Sequence, residues 1–390
     1  MNHRLADATA LVLFTGILTC WAQGFWPVAL VECGAFLLAG IWIIRWMGTA
    51  APPVSSPGLV PLACMIIWGA LQLAAGRSVY WFETATSLAA WASNGAIFFV
   101  ALQVCAETQT RNRFIRSILW FGFAVSLLAV VQYFTSGGKI FWLFPTPYLR
   151  TLGPFVYKNE CAAFLELVFP LAVYQALVDG RHAPVYIAMA ATMFAAVIAA
   201  ASRAGTVLLA AELLVILILA GSRGLIPHAN LAKTLLRIGA LCLVLAAVVG
   251  WQVTLEKFRE PEPYRVRREL LLSSINMIGD RPWMGFGLGT WPTVYPAYAR
   301  FDNGLVANHA HNDWAEWAVE GGLPFFGLIA LLAAWSVPRA ADSVWGIGIT
   351  AVFVHSLVDY PLREPAVAAL LFAMLGALAG RGRTIAATFE

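Results

Sequence analysis

The sequence predicts an all-α, polytopic membrane protein of about twelve transmembrane helices, interrupted late in the chain by one large loop outside the membrane. Of its 390 residues, 60% are hydrophobic and only 12% are charged, about half the charge of an ordinary soluble domain. Apolar runs of about 17 to 24 residues recur from end to end, long enough to cross a ~30 Å hydrocarbon layer as helices. The polar residues that remain are gathered into a few connections rather than spread along the runs.

The first run, 8–24, lacks a small-residue cleavage signature and is followed at once by another span. It therefore reads as a first transmembrane helix and not as a removed signal peptide. Runs at 26–46 and 59–75 flank "APPVSSPG" (Ala51 to Gly58), a Pro/Ser linker, and runs at 83–105 and 114–134 complete an N-terminal unit, 1–134. The middle unit, 135–251, opens on "GKIFWLFPTPYLRTLGPF". Its aromatics and prolines suit a segment lying along the membrane interface. Spans follow at 160–178, 184–201, 204–220 and 235–251. The large loop covers 252–313, and the C-terminal unit, 314–390, holds spans at 314–336, 342–357 and 365–380. The six cysteines all lie within or at the ends of apolar runs, and none forms a CxxC pair. They read as small buried hydrophobes, not as a disulfide framework or a zinc site.

Basic residues in the short loops orient the chain. With the N-terminus inside, the cytoplasmic side carries Arg4, Arg45, Arg111, Arg113, Arg116, Arg181, Arg223, Lys233, Arg237, Arg339, Arg381 and Arg383. The short outer connections hold Arg77, Lys139, Arg150, Lys158, Arg203 and Arg363, so twelve face six and favour both termini inside. The large loop then lies outside, together with the 135–159 loop, the turn at Ser202–Arg203 and "HSLVDYPLREP" (His355 to Pro365). Every unusual polar cluster thus falls on the non-cytoplasmic face. The net charge of +4 is too small to point to nucleic acid.

The densest cluster is "ANHAHNDWAEWAVEGG", Ala307 to Gly322. Asp313 and Glu316 form a D-x-x-E pattern ahead of an apolar run, which reads as a helix cap. The cap explains neither His309 and His311 before it nor Glu320 one turn beyond Glu316. His-x-His is a metal-ligand spacing, but no HExxH or Cys/His cluster supplies a third and fourth ligand. A general base fits better, since neutral histidine can take a proton from a hydroxyl near neutral pH; His311, nearest the helix start, is the stronger candidate. Arg265, Arg267 and Arg268 cluster in an outer segment that reads as a helix on the membrane. There they suit either a pyrophosphate or anionic headgroups. "GFGLG" (Gly285 to Gly289) lacks the Lys-Ser/Thr of a phosphate loop and reads as a tight turn. Arg203, in a short turn between two apolar spans, is either functional or snorkelling. His355, Asp359 and Arg363 lie at the end of the eleventh span, where Asp359 and Arg363 are placed to pair with each other.

Taken in order, "GPFVYKNECAAFLELVFPLA", "SRAG", an arginine followed by "MIGDRPWMGFGLGTW", "HAHNDWAEWAVEGGLPFFG" and "HSLVDYPLREP" resemble the O-antigen ligase and polymerase superfamily of bacterial envelope glycosyltransferases. The motifs span roughly Gly153 to Pro365, and the first five spans match only in being apolar. The resemblance implies a membrane glycosyltransferase fold in the bacterial inner membrane, needing no cofactor and no metal. It implies an undecaprenyl-diphosphate-linked glycan as donor on the periplasmic face, and an acceptor hydroxyl on a lipid A-core sugar, another repeat unit or a protein. The implied catalytic residues are Arg203, Arg267 (with Arg268 the adjacent alternative) and His311. Arg265, Arg268, His309, Asn312, Glu316, Glu320, Lys158, Asn159, His355 and Asp359 are expected to bind substrate, with Glu316 or Glu320 fixing the His311 tautomer. The sequence departs from the pattern at Leu271, where relatives often carry tryptophan, and at Tyr157, where asparagine is common. Within the superfamily, ligase, polymerase and protein glycosylation stay open. A flippase is the alternative of another class, for which Glu32, Glu166 and Glu212 would be the span-interior charges.

Overall fold

In the computed structural model, the described residues are 2–49, 51–225, 228–259, 264–300, 304 and 306–380. Arg381 and Arg383, counted above for orientation, lie outside them. The helices run α1 (Asn2–Thr19), α2 (Trp26–Met47), α3 (Leu59–Ala74), α4 (Trp81–Val104), α5 (Thr108–Thr135), α6 (Lys158–Val178), α7 (Ala183–Ala199), α8 (Arg203–Ser222) and α9 (His228–Val249). Then come α10 (Gln252–Arg259), α11 (Arg265–Asp280), α12 (Trp291–Val294), α13 (Asp313–Ser343), α14 (Ile347–His355) and α15 (Pro365–Ala379). The exception to an all-helical fold among the described residues is a small antiparallel ladder in the 135–159 loop, Lys139–Ile140 against Phe144–Pro145.

Among the described residues, seven helices are long and apolar enough to cross a membrane: α2, α4, α5, α6, α8, α9 and α13. Helices α3, α7 and α15 are shorter apolar helices. The expected first span is α1, which starts several residues earlier than its apolar run because Asn2–Asp7 join the helix. The expected eleventh span contains only the nine-residue α14, about 13 Å at 1.5 Å per residue. It is not by itself a crossing.

Two helices are enclosed by the others. Helix α6 is buried nearly all round against α5, α7, α8 and α14, and α15 is buried against α4. In membranes such close approach needs small residues at the contact. Gly376 of α15 meets the Phe98 carbonyl of α4, and Gly348 of α14 meets the Glu166 carbonyl of α6, each too closely for a Cβ.

The bundle has two distinct ends. At one, Cys20 after α1 donates to the Pro154 carbonyl at 3.2 Å, just before α6. Gln72 near the end of α3 donates to the Met284 and Glu320 carbonyls at 2.6 and 2.8 Å. At the other, His3 meets Thr110 at 2.8 Å, Arg113 pairs with Asp7 at 2.7 Å, and Arg223 pairs with Asp342 at 3.3 Å. The start of α6, the start of α8, α11 and the start of α13 all belong to the first end, which positions the site.

Candidate active site

The site begins with a break in α13. Gly322 sits at φ +70, a left-handed conformation that costs glycine little, and Pro324 has no N–H to return to Glu320. The carbonyls freed here are taken by other elements. Phe286 N and Gly287 N donate to Val319 and Glu320 at 3.0 and 2.9 Å, and Trp68 Nε1 donates to Gly321 at 2.8 Å. The "GFGLG" turn thus clamps the loop onto the kink, with Gly285 pressed against the Glu320 carbonyl. The expectation of a tight turn matches what is seen: Gly285, Gly287 and Gly289 all have positive φ.

Below the kink stands a buried charge post. Arg363, in a 3-10 turn at Pro361–Arg363, meets Glu320 at 2.9 Å, Glu316 at 3.1 Å and Asp313 at 3.5 Å. Burial opposes its charge, but the three carboxylates outweigh that and hold the guanidinium even more firmly protonated than usual. Each acid also takes a backbone donor: Trp291 N to Glu320 at 3.3 Å, Ala310 N to Glu316 at 2.6 Å, Leu362 N to Asp313 at 3.1 Å. The expected Asp359–Arg363 pair therefore does not form; the chain is not helical between them, so a spacing of four brings no contact. The cap also differs from expectation. Asn312 is the N-cap, its side chain accepting from Ala315 N at 2.9 Å, while Glu316 turns inward.

Above the post, Asp359 is the hub. Its carboxylate, 1% exposed, accepts from Arg267 Nη2 at 2.9 Å and faces His311 Nδ1 at 3.2 Å. Further donors are Tyr360 N at 3.0 Å, the Tyr157 hydroxyl at 3.4 Å and the Asn159 amide. Burial would raise the Asp359 pKa, but the His311 hydrogen bond and the Arg267 charge together hold it below the usual carboxylate range. An ionised carboxylate only accepts, so His311 donates from Nδ1; in a neutral imidazole that arrangement leaves the Nε2 lone pair for other use. The hub loop also holds the start of α13: Asp313 N donates to the Ser356 and Asp359 carbonyls at 2.9 and 3.1 Å. His311 itself sits at φ +52, where a non-glycine residue carries about 1 kcal/mol of strain.

Aromatic faces complete the floor. Tyr360 stacks on Tyr157 at 5.3 Å and on His309 at 4.2 Å, with His311 edge-on at 4.9 Å. Burial first, then neighbouring charge, raises both tyrosine pKa values, so the hydroxyls stay donors. Tyr264 links the two arginines: the Arg203 guanidinium lies 4.9 Å and that of Arg267 5.9 Å from its ring centre. Arg203 also donates to the Lys257 carbonyl at 2.8 Å.

Arg203, Arg267 and His311 are thus joined through Tyr264 and Asp359. Asn159 joins them through Asp359, and Lys158 reaches the Ala201 carbonyl beside Arg203 at 3.4 Å. His309 faces Glu316 at 3.3 Å, and the Asn312 amide donates to Leu357 at 2.8 Å. Arg265 is exposed, and Arg268, 67% exposed, lies 3.7 Å from Glu269 on the outer side of α11. The carboxylate that meets His311 is Asp359, not Glu316 or Glu320, both of which face the post. His355 departs furthest from expectation: its side chain is fully buried against Glu166 at 2.8 Å, behind the hub, whose Asp359 N donates to the His355 carbonyl at 3.0 Å. Among the described residues no three His, Cys, Asp or Glu side chains converge as a metal site.

Tyr264, Tyr360 and Gln72 were not singled out from the sequence, and Asp313 was read there only as a helix cap. A glutamine inside an otherwise apolar span was the available signal for Gln72, since an amide in hydrocarbon requires partners. Tyr264, three residues before Arg267 at the start of an arginine-rich helix, was the signal for the linking ring.

The fold and this cluster define a multi-pass helical membrane protein with an arginine–histidine–carboxylate cluster at one end of its helix bundle. Residues 188–332 match the family model described as O-antigen ligase. The match includes Arg203, Arg267 and His311 and ends before Asp359. No curated protein matches the chain.

Proposed function

We propose that the protein is a metal-independent, inverting glycosyltransferase of the O-antigen ligase type. It moves a glycan from an undecaprenyl-diphosphate carrier to an acceptor hydroxyl, on a lipid A-core sugar, at the periplasmic face of the inner membrane. The observation that carries this reading is the single carboxylate of Asp359 held between His311 and Arg267. It supports a base and a phosphate-binding cation working at adjacent points.

In the proposed reaction, His311 Nε2 takes the acceptor proton as the hydroxyl oxygen attacks the anomeric carbon. The bond from that carbon to the diphosphate oxygen breaks, and the departing diphosphate keeps the electron pair. Arg203 and Arg267 neutralise the charge developing there, and planar guanidinium groups suit phosphate oxygens. The hydrogen bond from Arg267 to Asp359 favours Arg267 over Arg268 as the loop arginine, because it leaves the fork oriented while further N–H donors remain.

The test is transfer by purified protein in lipid nanodiscs, with lipid-linked donor and acceptor supplied. Arg203→Ala, Arg267→Ala and His311→Ala should each lower turnover by about 10²-fold or more. His311→Asn is the companion variant, because asparagine tolerates the left-handed backbone. Full activity of both His311 variants would remove the base assignment, and EDTA should leave the rate unchanged. Complementation of strains lacking either the ligase or the polymerase, read by lipopolysaccharide banding, separates the acceptor classes.

A second reading, flipping of a polar lipid, draws on Glu166, Glu212 and His355, buried in the bundle interior. Among the described residues Glu166 Oε2, both Glu212 oxygens and His355 Nε2 have no hydrogen-bond partner, and such groups within spans often mark transport routes. Flipping that survives His311→Ala, without any glycan transfer by the wild type, would favour it.

A further inference from the structure

At the opposite end of the bundle, a cavity of about 360 Å³ opens between α1, α2, α4 and the start of α5. Its charged lining is Arg45, in the last turn of α2, and Glu107, just before α5. The uncharged lining includes Trp42, Trp46 and Gln103, together with small and aliphatic residues of the Ala51–Val54 linker. None of these residues belongs to the candidate active site, and the inference does not depend on the proposed reaction.

The walls are built before any ligand arrives. Buried Gln103 clasps the linker by donating to the Val54 carbonyl and accepting from Val54 N, both at 2.8 Å. Trp46 Nε1 donates to the Ala51 carbonyl at 2.7 Å. Trp42 lies parallel to Trp46 at 6.1 Å and edge-on to Phe99 at 4.9 Å, giving one wall a fixed aromatic slab. Tryptophan in this position belongs at the level of lipid headgroups.

The charges are opposite, share the cavity and do not pair with each other. Among the described residues the Arg45 guanidinium meets no hydrogen-bond or ion-pair partner. Glu107 accepts from the Thr110 hydroxyl at 2.8 Å and lies 4.0 Å from His3, leaving acceptor capacity toward the cavity. A simple anion would meet Arg45 but be repelled by Glu107; a simple cation would meet the reverse. A ligand with both charges on a short link satisfies both. Beside Arg45, Ile44 and Met47 are strongly exposed and offer an apolar flank along which hydrocarbon chains could leave.

We propose that this cavity binds the headgroup of a zwitterionic aminophospholipid, with its phosphate on Arg45 and its primary ammonium on Glu107. A volume near 360 Å³ lies at the low end for small-molecule sites, which suits a headgroup whose chains remain outside. An ammonium with N–H groups is specified because Glu107 can only accept hydrogen bonds when ionised.

The experiment uses the full chain, extracted into mixed micelles holding equal phosphatidylethanolamine, phosphatidylglycerol and phosphatidylcholine, and read by native mass spectrometry. Retention of phosphatidylethanolamine above the other two is expected. Arg45→Gln and Glu107→Gln should each reduce that retention about tenfold, the scale of one charge-assisted hydrogen bond. Free glycerophosphoethanolamine separates headgroup recognition from chain packing and should compete with the lipid. A wild-type melting temperature raised more by phosphatidylethanolamine than by phosphatidylglycerol gives a readout that needs no variant. Equal retention of all three lipids, preference for phosphatidylglycerol or phosphatidylcholine, or retention unchanged in both variants would overturn the proposal.

Discussion

The two halves of the candidate site use the same residue types to opposite ends. Around Arg363, three carboxylates and one guanidinium are packed away from solvent, each acid also tied to a backbone N–H. Around Asp359, the carboxylate is buried but its two principal partners are not: Arg267 is 24% and His311 28% exposed. In the first half every charge points inward and joins the loop, α13 and the Pro361–Arg363 turn. In the second, one buried anion aims two reachable groups outward. Buried ion pairs add little net stability over a hydrophobic replacement, yet breaking one is costly. The post is thus built as a scaffold, and the hub holds within reach the two groups assigned to the proposed reaction.

The largest effect that would test this contrast comes from Arg363→Met. Three buried carboxylates would lose their common cation, and stability should fall by about 3–5 kcal/mol, seen as a lower melting temperature and loss of monodispersity in detergent. His311→Asn, by contrast, should leave the melting temperature close to wild type while abolishing transfer. If Arg363→Met melted normally and only turnover fell, the scaffold assignment would be wrong.

Next in size is Asp359→Asn. The amide keeps the shape but no longer obliges His311 to donate from Nδ1, and it removes the counter-charge of Arg267. Turnover should drop by roughly 10² to 10³-fold, as expected when a base loses its orienting partner. The pH dependence of stability follows from the depressed folded pKa of Asp359. Its unfolded value is about 3.9, so its contribution is complete above that value and is lost as pH falls through the lower, folded one. The stability gap between wild type and Asp359→Asn should therefore be widest near neutrality and narrow on acidification below about pH 4. A gap that stays constant to pH 2 would remove the charge argument.

The scaffold half was harder to read from sequence than the chemical half, for a physical reason. Arg203 stands out because charge beside hydrocarbon is costly, His311 because the capping pattern leaves it unexplained, and Arg267 through the family resemblance. The partners that aim them depend on tertiary placement. Asp359 and Arg363 are close in sequence and were expected to pair, yet a non-helical turn sends one to the hub and the other to the post. Glu316 fits a capping pattern, but Asn312 takes the cap. Apolar runs locate the helices well, because length and hydrophobicity are local properties. They do not reveal that α14 is only nine residues long or that His355 turns inward to Glu166.

A smaller effect is expected at the ring between the arginines. Tyr264→Leu removes the aromatic face that both guanidinium groups approach. Contacts of this kind are worth about 0.5–1 kcal/mol at half-exposed sites. The apparent KM for the lipid-linked donor should rise a fewfold, with Tyr264→Phe close to wild type because the face and not the hydroxyl is used. A Phe variant as weak as the Leu variant would point instead to the tyrosine hydroxyl.

The smallest predicted change is the sharpest test of how α11 is oriented. Arg267 and Arg268 are adjacent and chemically identical, but about 100° apart around a helix. Arg267 turns to Asp359, and Arg268 turns to solvent and Glu269. Exposed ion pairs contribute about 0–1 kcal/mol, so Arg268→Ala should leave turnover within about twofold of wild type. Arg267→Lys keeps the charge but loses the planar fork, and should still impair transfer. If Arg268→Ala were as damaging as Arg267→Ala, the outer side of α11 would also contact substrate. The chemical half would then extend around the helix, beyond the side that Asp359 holds.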